Sequence, residues 1–440
     1  MKVFIETYGC QMNVNDSEVA LSILQQAGYS RCTSMDVADL ILINTCSVRD
    51  NAEQRVLGRL DVFRQEKRRR SGVVVGVMGC MAERLKEKLL ENPAVDIVAG
   101  PDAYRDLPRL VAAVTSSGKQ INTILSHEET YGDIAPVRMD RDGVTAFISI
   151  MRGCNNVCSY CIVPFVRGAE RSRDAHSILR EARILIDAGY KEINLLGQNV
   201  DSYRWVNPEG GETVDFAGLL EQVAALDPAI RIRFATSHPK DMSDAVLLAM
   251  SRHANICRHI HLPVQSGSDT MLEKMNRKYT RAHYLERIAR IREILPDCAI
   301  TTDVIAGFCG ETEADHEATL SLMREVRYDS AFMFQYSERP GTRASRHFPD
   351  DVPAEVKTRR LNEIIAQQNE ISLEINRQLE GQCFEVLAEC TSKRSDAELL
   401  GRTSQNKSCV FPAAGHKPGD LVTVRVLSST SATLRCEVVE

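Results

Sequence analysis

The 440-residue sequence has few aromatic residues and no long apolar run. Aromatic residues make up 5% of the chain, with a single Trp, and no stretch approaches the roughly 18 apolar residues that a membrane-spanning helix needs. Residues 1–6 show neither the apolar core nor the cleavage site of a signal peptide. We therefore expect a protein without membrane association and with a cytoplasmic location.

The sequence also lacks an excess of positive charge. It contains 54 Lys and Arg against 60 Asp and Glu, which gives a formal net charge of −6. This balance argues against a protein that coats nucleic acid without specificity, but it leaves open an RNA partner bound by a local basic patch. The length corresponds to about three globular domains.

Cysteine, in contrast, is abundant, with 14 residues in the chain. Disulfides are rare in cytosolic proteins, so metal or cluster ligation is the stronger interpretation.

The order of the predicted elements indicates an α/β protein with three parts. The first 110 residues alternate apolar strands with helices, which predicts a parallel sheet covered on both faces. Six further strands separated by helices follow between residues 145 and 336 and predict a partial (β/α)6 barrel, less than the eight units of a full one. After a long helix, short strands with Gly and Pro between them predict a small antiparallel β-barrel. The expected domains are residues 1–135, 140–375 and 378–440.

The sharpest motif is a cysteine triplet after the first barrel strand. Cys154, Cys158 and Cys161 are spaced C-x3-C-x2-C, so one short loop can wrap three corners of a cubane cluster. The fourth iron would then be free to chelate a small molecule. Structural zinc normally takes four ligands, so a triplet without a nearby fourth Cys or His fits zinc poorly.

A second set of cysteines is spread over the first domain. Cys10, Cys46 and Cys80 each follow a predicted parallel strand, at the edge where open α/β sheets build their sites. Gly9 and Gly79 precede two of them and are expected to let the backbone approach a bulky cluster. The alternative, three thiols that merely pack in a core, is less consistent with three equivalent strand ends.

The loop triplet, with an aromatic residue just before its last cysteine, resembles the radical S-adenosylmethionine (SAM) superfamily. The resemblance implies that Cys154, Cys158 and Cys161 hold a [4Fe-4S] cluster whose open iron binds SAM. Electron transfer then cleaves SAM to methionine and a 5′-deoxyadenosyl radical. Tyr160 would lie near the SAM adenine.

Over essentially the whole chain, the sequence resembles the methylthiotransferases within that superfamily. The matching runs resemble the tRNA-modifying branch that acts on N6-isopentenyladenosine beside the anticodon, and they are residues 6–13, 195–200, 236–239 and 261–268. The family implies an auxiliary [4Fe-4S] cluster on Cys10, Cys46 and Cys80, and a C-terminal TRAM domain that binds RNA. It also implies two uses of SAM, one to methylate a sulfur on the auxiliary cluster and one to make the radical that attacks carbon 2 of the adenine.

Further candidate SAM contacts stand at the ends of barrel strands, or within one. Gln198, Ser237 and Gln265 follow the second, third and fourth strands, and Asp303 lies in the fifth. The alternative is that these polar side chains only satisfy loop backbone. His238, His259 and His261 lack a third ligand and are expected to be hydrogen-bonded barrel residues, and the eight cysteines outside the triplets are expected to be packing thiols.

Three arginines that follow the cluster loop, Arg167, Arg171 and Arg173, are expected to meet phosphate near the active site. The expected partners are a tRNA carrying isopentenyladenosine and an electron donor such as flavodoxin or ferredoxin, and the expected state is a monomer. Two alternatives remain open from the sequence. One is a methylthiotransferase for another substrate, a ribosomal-protein aspartate or threonylcarbamoyladenosine. The other is a non-catalytic Fe–S RNA-binding protein.

Overall fold

The computed structural model describes residues 1–46, 50–139 and 143–439, and within these ranges the side chains of all but residues 50–54. The N-terminal part contains the strands and helices β1 (Lys2–Tyr8), α1 (Gln11–Gln26), β2 (Ser30–Arg31), β3 (Leu40–Thr45), α2 (Asp50–Arg69), β4 (Val74–Gly79), α3 (Cys80–Leu85), α4 (Glu87–Leu90), β5 (Ile97–Ala99), α5 (Leu107–Ser117) and β6 (Gln120–Asn122). The six strands form one parallel sheet in the order β2-β1-β3-β4-β5-β6.

The register of this sheet aligns the ends of its three central strands. Tyr8 pairs with Thr45, and Thr45 pairs with Gly79, so β1, β3 and β4 stop at the same edge. Strands β3 and β4 are buried along their whole length, as expected for a parallel sheet covered on both faces. Separate apolar cores lie on the two faces, around Leu42 on one and around Ile43 on the other.

Helix α3 ends at Leu85, and a separate short helix, α4, follows it. Lys86 has φ +49°, a left-handed conformation that an α-helix cannot continue through. The segment therefore forms α3 and α4 instead of one helix.

The central part contains ten strands and nine helices among its described residues: β7 (Thr145–Ser149), β8 (Met151–Arg152), α6 (Val163–Arg167), β9 (Arg171–Ser172), α7 (Ala175–Asp187), β10 (Glu192–Leu196), β11 (Arg204–Val206), β12 (Thr213–Asp215), α8 (Phe216–Ala224), β13 (Arg231–Ala235), α9 (Asp244–Arg252), β14 (His259–His261), α10 (Asp269–Lys274), α11 (Arg281–Ile294), β15 (Ala299–Ala306), α12 (Glu313–Val326), β16 (Ser330–Gln335), α13 (Arg343–His347) and α14 (Ala354–Arg377).

Six of these strands form the partial barrel expected from the sequence. Strands β7, β10 and β13 are parallel neighbours, and so are β14, β15 and β16. A parallel bridge between Ile232 and Ile256 joins the two sheets. The large apolar core packs between these strands and the helices outside them. The α/β barrel class is therefore confirmed.

The C-terminal part is a closed five-stranded barrel with the strands β17 (Cys383–Ser392), β18 (Ser395–Thr403), β19 (Ser408–Pro412), β20 (Leu421–Ser429) and β21 (Leu434–Val438). It docks on the central barrel through buried arginines of β13. Arg231 donates to the carbonyl of Arg402 at 2.8 Å, and Arg233 donates to those of Thr403 at 2.6 Å and Ser404 at 3.0 Å. The small barrel is therefore fixed to the strands of the central one.

The eight remaining cysteines are only partly packing thiols. Cys257, Cys309, Cys409 and Cys436 are buried, whereas Cys383 is exposed on β17. The expectation is wrong for Cys383, because its position on an outer strand face leaves the thiol in solvent.

Candidate functional site

The strand-end cysteines lie together because the register of the sheet places them so. Cys10, Cys46 and Cys80 each follow one of the three aligned strand ends. Cys10 caps α1, and its backbone N–H and its thiol both donate to Asn13 Oδ1, at 3.3 Å and 3.2 Å. A thiolate at this position is stabilised by the positive end of the α1 dipole.

Buried amides hold this edge of the sheet in place. Asn13 Nδ2 donates to Asn44 Oδ1 at 3.0 Å, and Asn44 Nδ2 donates to the Asn13 carbonyl at 2.9 Å. These two hydrogen bonds connect α1 to the end of β3. Asn44 directly precedes Thr45 and stands two residues before Cys46.

The two glycines at this edge make room for protein atoms. A Cβ on Gly9 would lie 2.7 Å from Cys46 Cβ, and one on Gly79 would lie 2.2 Å from Asn44 Oδ1. Both glycines also have positive φ, +129° and +87°. Glycine is therefore required here because the strand ends approach one another closely.

The three thiols interact electrostatically with each other and with one arginine. A hydrogen bond from Cys46, together with the positive charge of Arg167, lowers the pKa of Cys10. Burial raises the pKa of Cys80, and the charge of Arg167 opposes this rise. Cys10 is exposed toward an internal cavity, whereas Cys46 and Cys80 are buried.

The loop triplet is held by short backbone bonds and by the end of α10. The Cys154 N–H donates to the Gly168 carbonyl at 3.2 Å, and the Cys161 N–H donates to the Cys158 carbonyl at 3.0 Å. Ser159 donates to the carbonyls of Met275 and Lys274. Burial raises the pKa of Cys154 to about 11 and that of Cys161 to about 12, so ligation of iron here must release protons.

One residue beside the loop triplet, Arg277, has no local motif that would select it. Arg277 Nη1 donates to Cys158 Sγ and to the Tyr160 hydroxyl, each at 3.3 Å, and Nη2 donates to the Pro263 carbonyl at 2.7 Å. Arg277 lies 119 residues from Cys158 in the chain, so no local pattern could have indicated the contact.

The donor sets fit clusters better than a single ion. Within the described ranges, no three or more His, Cys, Asp or Glu side chains are close enough to hold one metal ion. A cubane binds each thiolate at a different iron, so its ligands are spread around the cluster. Each of the two cysteine triplets offers three thiols and, among the described residues, no fourth ligand, which matches that requirement.

One cavity of about 1170 Å³ is lined by residues from all three parts of the chain. Cys10 comes from the N-terminal sheet, Cys161 from the cluster loop, and Arg402 and Asn406 from the C-terminal barrel. Three predicted SAM contacts also line it: Tyr160, Gln265 and Asp303. Gln198 and Ser237 are not among the described residues that line this cavity, although Thr236, next to Ser237, is.

Two lining residues have strained backbones at the ends of barrel strands. Thr236 has φ +70° and Gln265 has φ +72°. Positive φ is a true outlier for a β-branched residue such as Thr, and strain of this kind concentrates at functional sites. Gln265 is fixed by two backbone bonds to β15, from its N–H to the Asp303 carbonyl and from the Ile305 N–H to its own carbonyl, both 2.9 Å.

Two of the three expected barrel histidines, His259 and His261, form part of the polar cavity wall. Thr301 Oγ1 lies 3.0 Å from both His259 Nε2 and His261 Nδ1, and His261 Nε2 lies 3.4 Å from Asp303 Oδ1. His238 Nδ1 accepts from the Lys240 N–H at 3.2 Å. Each of these histidines has a hydrogen-bond partner, which agrees with the structural role predicted for them.

The prediction that three arginines meet phosphate is wrong. Arg167, Arg171 and Arg173 are only 3%, 6% and 5% exposed. They pair instead with buried carboxylates: Arg167 with Asp16 at 2.8 Å, Arg171 with Asp102 at 3.1 Å, and Arg173 with Glu181. The first two pairs join the central barrel to the N-terminal sheet, so these cations are used for domain contact and are not available to RNA.

Over the described parts of the chain, the helices of the protein are too short or too polar to cross a membrane.

Three family models match the chain in succession. Residues 2–100 match the uncharacterized protein family UPF0004, residues 148–323 match the radical SAM superfamily, and residues 377–439 match the TRAM domain. The radical SAM match implies a [4Fe-4S] cluster and SAM as cofactors.

Solved structures show the same fold at low sequence identity. The radical SAM methyltransferase TsrM from Kitasatospora setae is similar with a TM-score of 0.58 and 14% identity, covering 87% of this chain and 77% of that one. The cobalamin-dependent radical SAM enzyme OxsB is similar with a TM-score of 0.52 and 14% identity, covering 83% of this chain and 56% of that one.

Curated relatives match over the full length. Proteins named tRNA-2-methylthio-N(6)-dimethylallyladenosine synthase are 58% identical in Phocaeicola vulgatus and 56% identical in Porphyromonas gingivalis, covering 100% of this chain and 96% and 95% of theirs. A relative of the same name in Amoebophilus asiaticus is 54% identical over 99% of this chain and 92% of its own. The resemblance seen in the cysteine motifs is thus confirmed, and the chain belongs to the radical SAM methylthiotransferases, in the family of these synthases.

Proposed function

We propose that this protein is a tRNA methylthiotransferase that converts N6-isopentenyladenosine beside the anticodon into 2-methylthio-N6-isopentenyladenosine. The names of its relatives and the TRAM match support a tRNA substrate. The observation that carries the proposal is the shared cavity, because Cys10, Cys161 and Arg402 line one space. This shared lining supports a site in which a sulfur source, a radical source and an RNA-facing segment surround one substrate.

The roles of the residues follow from their positions. We assign the radical cluster to Cys154, Cys158 and Cys161, and the auxiliary cluster to Cys10, Cys46 and Cys80. When bound, the two clusters and SAM supply the electron, the radical and the methylthio sulfur. The chain orients these groups, since Cys46 and Cys80 are buried whereas Cys10 and Cys161 line the cavity.

The contacts to SAM are the finer part of the proposal. Tyr160, Gln265 and Asp303 line the cavity next to the loop triplet and are suited to contact SAM. Gln198 and Ser237 stay proposed contacts because they lie at the ends of barrel strands, and Gln198 Oε1 is buried without a hydrogen-bond partner among the described residues.

The proposal also includes the organisation and the partners of the protein. The domains are residues 1–135, 140–375 and 378–440, the last of which binds RNA. The protein acts as a cytoplasmic monomer that takes electrons from a flavodoxin or ferredoxin. Sedimentation of the reconstituted protein and reduction by each donor test these points.

The deciding experiment combines metal analysis with nucleoside analysis. Anaerobically reconstituted protein should hold about eight irons, and replacement of Cys154, Cys158 and Cys161 by Ala should leave about four. Bulk tRNA from a strain that lacks the gene should contain N6-isopentenyladenosine without its 2-methylthio derivative, and the gene should restore the derivative.

Three outcomes would contradict the proposal. Stoichiometric zinc without iron would remove the clusters. Unchanged 2-methylthio-N6-isopentenyladenosine, with loss of a methylthio group from a ribosomal protein or from threonylcarbamoyladenosine in tRNA, would assign another substrate. A protein that holds both clusters and binds tRNA, but forms no 5′-deoxyadenosine with SAM and a strong reductant, would be a non-catalytic RNA-binding protein.

A further inference from the structure

We propose that Arg167, a residue of the central barrel, is a positioning residue for the auxiliary cluster on Cys10, Cys46 and Cys80. The inference rests on the proposed function, because that function includes the auxiliary cluster. In this inference, Arg167 donates hydrogen bonds to the cysteine sulfur atoms of the N-terminal domain and places its positive charge beside them.

The first observation is the packing that brings Arg167 to this site. Helix α6 lies against α3, and Ile162 and Val166 form a buried apolar cluster with Cys80. Arg167 directly follows Val166 and is 3% exposed. The Arg167 side chain is therefore buried between helix α6 of the central barrel and the N-terminal sheet, beside the strand-end thiols.

The second observation is that only one of the two terminal nitrogens of the Arg167 guanidinium has a hydrogen-bond partner among the described residues. Arg167 Nη2 donates to Asp16 Oδ2 at 2.8 Å. Nη1 is buried and makes no full hydrogen bond to any described atom. Val166, the residue before Arg167, packs against Cys80, so this unpartnered nitrogen is buried at the contact between α6 and the strand-end thiols.

The third observation is an excess of buried positive charge. Arg152, Arg167 and Arg171 share two carboxylates, Asp16 and Asp102, whose side chains are fully buried. One guanidinium is thus uncompensated within this network, and an unpaired buried charge is costly. A cluster held by Cys10, Cys46 and Cys80 would place the negative charge of its thiolate ligands beside this guanidinium.

These observations give Arg167 a defined effect on the auxiliary cluster. Hydrogen bonds and net charge near the sulfur atoms help to set the reduction potential of an Fe–S cluster. Residues that hydrogen-bond to metal ligands also help a protein to retain its metal. Their loss typically lowers metal affinity about 10- to 100-fold. Removal of Arg167 should therefore make the auxiliary cluster harder to reduce and easier to strip of iron.

The test uses the full chain with Cys154, Cys158 and Cys161 replaced by Ala, so that only the auxiliary cluster is present. In this background, Arg167→Met removes both the charge and the donors, and Arg167→Lys keeps the charge but loses the planar fork. Arg171→Met is the matched control, because Arg171 belongs to the same buried network but pairs with Asp102. Circular dichroism checks the fold of each variant.

Two measurements that do not depend on turnover decide the matter: the midpoint potential from an EPR-monitored titration, and the chelator concentration that removes half of the iron. We expect Arg167→Met to shift the potential to more negative values and to lower the chelator midpoint about 10- to 100-fold. Arg167→Lys should lie between Met and the unchanged background, and it carries the test if the Met variant does not fold.

Unchanged potential and chelator midpoint in both Arg167 variants would overturn the inference, and so would equal shifts in Arg171→Met. A background protein that binds no iron even with Arg167 present would instead overturn the auxiliary cluster, and with it that part of the proposed function.

Discussion

The two cysteine triplets solve the same ligation problem in opposite ways. Cys154, Cys158 and Cys161 lie within eight residues of one another in a single loop, so their proximity is local. Cys10, Cys46 and Cys80 become neighbours only because β1, β3 and β4 end in register. The spacing of the cysteines in the sequence is enough to predict the loop triplet. The strand-end triplet, in contrast, comes together only after the parallel sheet has formed.

Both triplets are nevertheless completed by an arginine from a distant part of the chain. Arg277 donates to Cys158 at 3.3 Å, and Arg167 lies beside Cys80 with a free buried nitrogen. The arrangement of the thiols differs between the two triplets, but in each case folding brings a buried arginine from a distant part of the chain close to them.

The comparison is tested most strongly by removing one ligand from each site. Cys158→Ala should abolish both 5′-deoxyadenosine and methylthio product, because a methyl group cannot replace a thiolate in the cluster that binds SAM. Cys10→Ala should retain SAM cleavage and lose only the methylthio product. Both products are measured by mass spectrometry in anaerobic assays with dithionite, SAM and isopentenylated tRNA.

Near-normal methylthio product from Cys10→Ala would refute the sulfur-donor role of the strand-end site. Loss of SAM cleavage in that variant, with an intact radical cluster by spectroscopy, would show that the two sites depend on each other directly.

The next largest effect is expected at Arg277. Arg277→Met removes the donor to Cys158 and Tyr160, and we expect SAM cleavage to fall about 10- to 100-fold. The altered environment of the cluster should also change its EPR spectrum in the presence of SAM. Arg281→Met is the control, since Arg281 donates to Ala318 and Glu325 away from the cluster; an equal loss there would point to general damage.

A smaller effect, on stability, is expected from the ion pairs between the domains. Arg152 is 1% exposed and donates to Asp16 Oδ1 at 2.8 Å, so Arg152→Met should cost about 3–5 kcal/mol of unfolding free energy. Arg359→Met, which breaks exposed pairs with Glu363 and Glu313, should have a much smaller effect, because exposed ion pairs are screened by solvent. Urea titration of the apo proteins gives both values, and similar costs would show that burial does not strengthen the domain contact.

The smallest predicted effect concerns a carboxyl group near the strand-end site. Burial raises the pKa of Glu83 to about 7. The folded protein therefore keeps a proton that the unfolded chain releases near pH 4–5, and stability falls as pH rises from there to about 7. Glu83→Gln should stabilise the protein by about 1 kcal/mol at pH 8 and have little effect at pH 4. Equal shifts in Tm at both pH values would contradict this assignment.

The features that the sequence predicts well are those carried by periodicity and local spacing. Alternating strands and helices indicate the parallel sheet and the six-stranded partial barrel, and the loop triplet indicates its own site. The strand-end triplet is also predictable, because parallel strands end at one edge.

The features that the sequence does not predict depend on long-range contacts. Arg167 and Arg171 follow the cluster loop, which suggests exposed cations, but their partners Asp16 and Asp102 belong to the other domain. Likewise, the positive φ of Thr236 and the contact of Arg277 with Cys158 arise only in the assembled barrel. Ion pairs and strain across domains have no signature in a local window of sequence.

The docking of the small C-terminal barrel has a consequence for how these proteins diversify. Arg233 both lines the cavity and donates to the carbonyls of Thr403 and Ser404, while Arg402 and Asn406 form another part of the same wall. An exchange of the C-terminal barrel between relatives would therefore also replace part of the cavity wall. In this architecture, a change in that barrel changes the cavity as well.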